Sequence, residues 1–205
     1  MSNFFTMFTA CLLALFPIVN PAGAVAAYAG LTDGFAPREV RRQGARTGIN
    51  VGIILVAFAV LGSLILNVFG LSLPAMQIAG GFVVANSGLG MLSPKQQLSQ
   101  EENDHAKIKK DISFTPMALP LVAGPGAIGE VIGLSARYPS LEGHVALILA
   151  IVFLAVIIGA LLMWGTPIVD RLGPTGIGAL VRVIGFLILC IGVELMIHGI
   201  TTLRL

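Results

Sequence analysis

Six long apolar segments, separated by short polar ones, dominate the pattern of residues along this chain. A helix that crosses a membrane needs about 20 consecutive apolar residues, and each segment reaches that length. Proline, glycine and charged residues cluster in the separators, as expected of turns. The predicted spanning helices are residues 4–32, 44–69, 72–93, 113–135, 142–168 and 177–202. The pattern therefore predicts an all-α integral membrane protein with six transmembrane helices.

The amino-acid composition points to the same class. Hydrophobic residues make up 56% of the 205 residues and charged residues only 11%, whereas a soluble domain is about one-quarter charged. The formal net charge of +2 comes with no basic face, which argues against nucleic acid as a partner. Cys11 and Cys190 both lie inside apolar segments, so neither a disulfide framework nor a metal site is indicated.

Basic residues are concentrated after the first, third and fifth apolar segments. Lysine and arginine mark the cytoplasmic side of a multi-pass protein. We therefore predict that the chain lies in the cytoplasmic membrane, with both termini outside and the hydrophilic loop 94–112 in the cytoplasm. This loop mixes both signs of charge and has almost no apolar content, so it is not expected to form a domain of its own.

Two stretches, FPIVNPAGAVA at 16–26 and LPLVAGPGAI at 119–128, share the order Pro-x-Val-x-x-x-Gly-Ala at an offset of 103 residues. A second block, GGFVVANSGLGML at 80–92, matches IGFLILCIGVELM at an offset of 104. The predicted repeats are residues 1–93 and 113–205, joined by the loop 94–112. Because each holds three helices, an odd number, the second repeat would be inverted, as in many secondary transporters. Alternatively, small-residue packing motifs recur by chance in membrane helices.

Both stretches place proline and glycine in the middle of an apolar segment. Proline removes a backbone N–H and glycine destabilises a helix interior, so helices 1 and 4 are predicted to be broken; a simple kink is the alternative. A break would face a helix N-terminus, which suits a carboxylate, with a helix C-terminus, which suits an ammonium. The predicted substrate-binding residues are Asn20, Pro21, Ala22, Gly23, Ala123, Gly124, Pro125 and Gly126. Their small side chains leave room for a small zwitterionic amino acid.

The same motifs resemble those of a known family. The similar elements are Asn20-Pro21-Ala22-Gly23, Ala79-Gly80-Gly81, Pro116-Met117-Ala118-Leu119-Pro120, Ala123-Gly124-Pro125-Gly126 and Arg182-x-x-Gly185-Phe186. They resemble the MarC family, which includes the SnatA-type small neutral amino-acid transporters, and the likeness covers essentially the whole chain. The resemblance implies transport of glycine, alanine and similar amino acids.

Three charged residues inside the predicted helices are candidates for coupling or gating: Glu130, Arg182 and Glu194. Ionisable groups within a membrane are functional candidates by default. Each also has an ordinary explanation. Glu130 and Arg182 could reach the membrane interface, and Glu194 could pair with His198, four residues further along the same helix.

The motifs of enzymes and of ATP-driven transport are missing from the sequence. No catalytic residue, metal or cofactor is therefore predicted, and uphill transport would use exchange or an ion gradient, of protons or of sodium. The predicted function is a secondary transporter of small neutral amino acids that works by alternating access. A drug or other small-solute exporter, a channel and a non-transporting membrane scaffold are the alternatives, and a homo-oligomer is compatible with each.

Overall fold

The computed structural model describes residues 2–92 and 111–203, and these ranges are almost entirely helical. Their elements, in chain order, are α1 (Ser2–Val19), α2 (Pro21–Leu31), α3 (Pro37–Phe69), α4 (Leu73–Leu92), the π-helix π1 (Ser113–Val122), α5 (Pro125–Arg137), α6 (Leu141–Trp164) and α7 (Thr166–Thr202). Of the predicted loop 94–112, residues 94–110 lie outside the described residues.

Five helical segments of the described chain are long and apolar enough to cross a membrane. They are Asn3–Leu31, Pro37–Gly62, Leu73–Leu92, Leu141–Trp164 and Thr175–Thr202. A sixth is obtained if π1 and α5, which meet at a bend of 63°, form one span. The prediction of an all-helical membrane protein is thus confirmed, with five or six candidate spans.

Two helices extend beyond the predicted apolar segments. α3 begins at Pro37 rather than at residue 44, with proline in its first turn and Glu39 close behind; both residues suit a helix N-terminus. α7 begins at Thr166, and Gly173, with φ 63° and ψ 174°, separates its first turns from the apolar part. Hydropathy predicts only the lipid-spanning part of a helix, so these polar extensions were outside the prediction.

The core of the bundle forms where α1, α3 and α6 meet. Fully buried side chains there include Leu15, Leu55, Leu147 and Ile151. α3 and α6 approach through glycine: a Cβ added at Gly48 would lie 2.8 Å from the Gly159 Cα. Such close backbone contact is typical of membrane helices, whose interfaces are rich in small residues.

A second close helix pair consists of α4 and α7. A Cβ added at Gly81 would lie 2.6 Å from the Gly192 carbonyl oxygen, and one added at Gly88 would lie 2.7 Å from the Gly185 carbonyl oxygen. These are the four glycines that the sequence aligns at an offset of 104 residues, Gly81 with Gly185 and Gly88 with Gly192. Gly81 therefore packs against Gly192, the residue aligned with Gly88, and Gly88 packs against Gly185, the residue aligned with Gly81.

Candidate functional site

The first interruption is Asn20, the single residue between α1 and α2. Its backbone is left-handed, with φ 52° and ψ 66°, a conformation that asparagine tolerates better than most residues. The Asn20 Oδ1 accepts a hydrogen bond from the Gly23 N–H at 3.0 Å, which makes Asn20 the N-cap of α2. Pro21 follows at the first helical position, where its missing N–H costs nothing. The chain thus leaves α1 and re-enters a helix within one residue.

Both ends of the Asn20 side-chain amide are engaged. The Nδ2 group donates to the Met91 Sδ at 3.3 Å, which ties the first interruption to the end of α4. A Cβ added at Gly23 would lie 2.9 Å from the Asn20 Cγ, so the cap needs glycine at this position. The predicted binding residues Asn20 and Gly23 therefore satisfy one another in this structure.

An apolar cavity of about 340 Å³ lies beside the first interruption. Pro17, Pro21 and Ala22 line it together with residues of α6 and α7. Its walls are almost wholly apolar, in contrast to the polar amide of Asn20.

The second interruption is Ala123–Gly124, between π1 and α5. Before it, π1 has wide turns, with the Ala123 N–H donating to the Ala118 carbonyl oxygen at 2.8 Å. Thr115 and Leu119 have extended backbone angles inside π1, and each precedes a cis-proline. The irregular backbone therefore begins well before the residues that the sequence singled out.

Among the residues that the structure describes, no side chain caps the start of helix α5. Its N-cap residue is Gly124, and Pro125 is at the first helical position. A Cβ added at Gly124 would lie 2.5 Å from the Pro120 carbonyl oxygen, so the backbone leaves no room there for a capping residue. Gly126 and Ala127, the two residues that follow Pro125, are buried. Uncapped N–H groups at the positive end of a helix form a site suited to an anion.

The two interruptions meet at Gly126. A Cβ added there would lie 2.5 Å from the Val84 Cγ2 and 3.7 Å from the Ile18 Cγ2. Ile18 is two residues before Asn20, and Val84 is on α4, the helix whose Met91 contacts the Asn20 amide. One turn further along α5, a Cβ at Gly129 would lie 3.5 Å from the Gly80 Cα. The structure therefore brings the predicted residues of both stretches into one region beside α4.

The charged candidates occupy two different environments. Glu130 is partly buried on α5, one turn after Gly126, and within the described residues its carboxylate makes no hydrogen bond or ion pair. Arg182 and Glu194 are exposed on α7, and neither takes part in an ion pair among the described residues. Of the three, Glu130 is the one on α5, the helix that starts at the second interruption.

Comparison with known proteins identifies similar membrane proteins that match almost the whole chain. The profile of the MarC family of integral membrane proteins matches residues 5–204. The chain belongs to the MarC family. It is 34% identical to the inner membrane protein MarC of Citrobacter koseri over 207 residues, covering 92% of this chain and 91% of that protein. It is also 31% identical over 200 residues to a membrane protein of Buchnera aphidicola, covering 96% and 93%. No solved structure matches the chain.

This MarC-family chain also has a polar network that the sequence analysis missed, at the start of the fourth predicted span. The Arg46 Nη1 lies 2.9 Å from the Asp111 Oδ2, and the Asp111 Oδ1 accepts hydrogen bonds from the Ser113 Oγ at 2.6 Å and the Ser113 N–H at 3.0 Å. These Ser113 hydrogen bonds, with the Arg46 charge, hold the pKa of Asp111 below its usual range. The fully buried Gln43 accepts from the Ile112 N–H at 3.3 Å. Asp-x-Ser before an apolar run is the available sequence signal, since such residues favour local side-chain to backbone bonds.

Proposed function

We propose that this chain is a secondary transporter of small neutral amino acids in the inner membrane, with glycine and alanine as its best candidate substrates. The observation that carries the proposal is the uncapped start of α5 at the buried Gly126. A buried helix N-terminus without a cap is costly in a membrane unless a ligand or water satisfies its N–H groups. A substrate carboxylate would do so.

The size of the site favours small substrates. A single added carbon at Gly126 would lie 2.5 Å from Val84, so little space remains around the first turn of α5. The C-terminal ends of α1 and π1 supply the negative ends of two helix dipoles for the substrate ammonium. A zwitterion with a small side chain satisfies both poles within these limits, whereas a bulky drug would require a wider cavity.

An inverted repeat would provide the alternating access. The packing of α4 on α7 supports this part of the proposal, because Gly81 contacts Gly192 and Gly88 contacts Gly185. A two-fold axis that exchanges the repeats would exchange these two contacts with one another. We propose that the repeats rearrange around the two interruptions, with both termini outside and the loop 94–112 in the cytoplasm.

Glu130 is our candidate for the group that couples transport to an ion. It lies one turn beyond Gly126 and has no ion-pair partner among the described residues. No ATP-binding motif is present in the sequence, so the energy would come from an ion gradient or from exchange. We propose no catalytic activity and no cofactor for the chain.

Binding should be tested first, by a thermal-shift screen of the purified protein against the twenty amino acids. We expect stabilisation by glycine, alanine and other small neutral amino acids only. Uptake of labelled glycine into proteoliposomes should then be saturable, and Gly126→Val should abolish it. Gly133→Ala on the same helix is the matched control, because its added Cβ would meet only the Met76 Cε at 4.0 Å. Equal uptake by parent and Gly126→Val would refute the assignment of this site.

A further inference from the structure

A polar pocket lies away from the two interruptions, between α3 and the start of π1. It has a volume of about 390 Å³ and is lined by Arg46, Asn50, Asp111 and Ser113, with Ile49 and Phe114 at its rim. Besides the Arg46–Asp111 ion pair, the Asn50 Nδ2 lies 3.5 Å from the Ser113 Oγ. The pocket therefore presents a cation, an anion and neutral hydrogen-bonding groups side by side.

The pocket lies at the level where α3 changes from charged to apolar. Arg46 is the last charged residue of α3, and residues 47–69 contain none. The Arg46 and Asp111 side chains are 47% and 51% exposed, so both charges are accessible to a ligand. Ile49 and Phe114 are 62% and 53% exposed, and such outward-facing apolar side chains are suited to contact with lipid. The pocket thus opens toward the membrane at its polar boundary.

An apolar groove continues from this pocket on the other side of Ile49, which lines both. The groove has a volume of about 510 Å³ and runs between α3 and α6, over small residues that include Gly48, Gly52, Ala155 and Ala160. On α3 it extends from residue 45 to residue 56, about 16 Å along the helix axis. Half of a hydrocarbon core of about 30 Å is about 15 Å. The groove is therefore as long as one leaflet is thick.

We propose that the polar pocket and the apolar groove together hold one phospholipid whose headgroup carries a phosphate and a primary ammonium, as in phosphatidylethanolamine. Arg46 and Asn50 bind the phosphate, Asp111 accepts hydrogen bonds from the ammonium, and one acyl chain lies in the groove. The Ser113 hydrogen bonds keep Asp111 anionic for this contact. The site does not depend on the proposed transport function.

The charges of the pocket select this headgroup over the other common ones. A choline headgroup has no N–H with which to bond Asp111, and a purely anionic headgroup would be repelled by the same carboxylate. A free amino acid would match both charges but would leave the groove empty. A half-exposed ion pair contributes up to about 1 kcal/mol, so we expect a preference for ethanolamine over choline of about fivefold.

Competition between two lipids tests the proposal. Full-length protein in detergent is given equal amounts of phosphatidylethanolamine and phosphatidylcholine with identical chains, and the bound lipids are counted by native mass spectrometry. We expect about fivefold more bound ethanolamine lipid in the parent and a ratio near one in Asp111→Asn, whose amide can still accept from Ser113. The matched control is Arg42→Gln, because among the described residues Arg42 pairs with Glu39, at 3.4 Å, and not with Asp111. Its ratio should equal that of the parent.

Further measurements test the apolar groove, the headgroup preference of the unmodified protein and the binding of small soluble ligands. Ala160→Leu fills the groove and should reduce binding of both lipids. Stepwise N-methylation of the ethanolamine lipid should lower its binding to the parent, a measurement that needs no variant. Equal binding of the two lipids to the parent, an unchanged ratio in Asp111→Asn, or phosphoethanolamine binding as well as the intact lipid would each overturn the proposal. Displacement of the lipid by free glycine would also overturn the proposal, because it would show that the pocket binds an amino acid.

Discussion

At each of the two interruptions a helix restarts inside an apolar segment, but the two restarting helices begin in opposite ways. At the first, Asn20 bends the chain in one left-handed residue and caps α2 with its own side chain. At the second, Gly124 has no side chain to offer and α5 starts uncapped. The backbone enforces this difference, since a Cβ at Gly124 would lie 2.5 Å from the Pro120 carbonyl oxygen. The hydrogen bond from Gly23 to Asn20 caps the helix at the first interruption, whereas no side chain of the described residues caps the helix at the second.

This difference assigns unequal tasks to the two halves of the proposed site. The side-chain amide of Asn20, one of the predicted substrate-binding residues, is hydrogen-bonded to the Gly23 N–H and the Met91 Sδ. These two contacts fix the orientation of the amide, and one N–H and one oxygen lone pair remain available to a substrate. At the start of α5, by contrast, no side chain of the described residues holds the backbone donors. We therefore expect substitutions at the second interruption to change substrate binding and those at the first to change stability.

The largest effect is expected from a double-mutant cycle at Gly126 and Val84. Gly126→Ala alone should destabilise the protein by about 3 kcal/mol, because its methyl group would lie 2.5 Å from the Val84 Cγ2, an overlap at the upper end of the cost of overpacking. Val84→Ala removes that carbon. The double variant should therefore lose less stability than the sum of the losses of the two single variants. Thermal unfolding in detergent measures the coupling.

Glycine uptake by the same double variant separates packing from binding. If the Gly126 region binds substrate, the added methyl group should still reduce uptake after stability has returned. Full recovery of uptake together with stability would make Gly126 a packing residue and remove the contrast between the two interruptions.

A smaller effect is expected at Asn20, where two substitutions distinguish capping from recognition. Asn20→Ala loses the cap and places alanine in a left-handed conformation, at a combined cost of about 2 kcal/mol. Asn20→Gly also loses the cap side chain but adopts that conformation freely, and glycine is a tolerated N-cap. Thermal unfolding and glycine uptake should therefore both recover in the glycine variant. An equal loss of uptake in both variants, with stability restored only by glycine, would instead give the Asn20 amide a direct contact with substrate.

The all-helical membrane class was predictable from sequence because long apolar segments have few alternatives to membrane-spanning helices, whereas the inverted repeat stays a prediction. The proline and glycine clusters likewise drew attention to the positions where the chain leaves helical geometry, Asn20 and Ala123–Gly124. Partners distant in sequence were not predictable. Met91 is 71 residues from Asn20, and only the folded chain brings the two together. The wide turns of π1 also went unpredicted, because proline indicates where a helix is disturbed and not the geometry that replaces it.

The charged residues provide a matched pair of substitutions with a further, smaller effect. Glu130→Gln beside the second interruption should alter the pH or ion dependence of glycine uptake, while leaving substrate-induced thermal stabilisation intact. Glu194→Gln, the same change on the exposed side of α7, should alter neither. Uptake by the two variants across a range of pH and sodium concentrations makes the comparison. A stronger effect of Glu194→Gln would move the coupling group away from the interruptions and onto α7.

The smallest expected effect concerns the hydrogen bonds between Asp111 and Ser113, which precede the second interruption. Ser113→Ala removes the hydroxyl that donates to Asp111 at 2.6 Å, while the backbone N–H can still donate. Because the folded pKa of Asp111 lies below its ordinary value of 3.8, its hydrogen bonds stabilise the fold above that pH. This stabilisation is lost as pH falls through the lowered pKa. The variant should therefore be less stable than the parent at pH 7, by about 0.5 kcal/mol for so exposed a carboxylate, and the difference should shrink below pH 3.8. Melting curves of both proteins at neutral and acid pH measure this difference in stability. A difference that does not change with pH would mean that Ser113 acts through packing and not through the Asp111 charge.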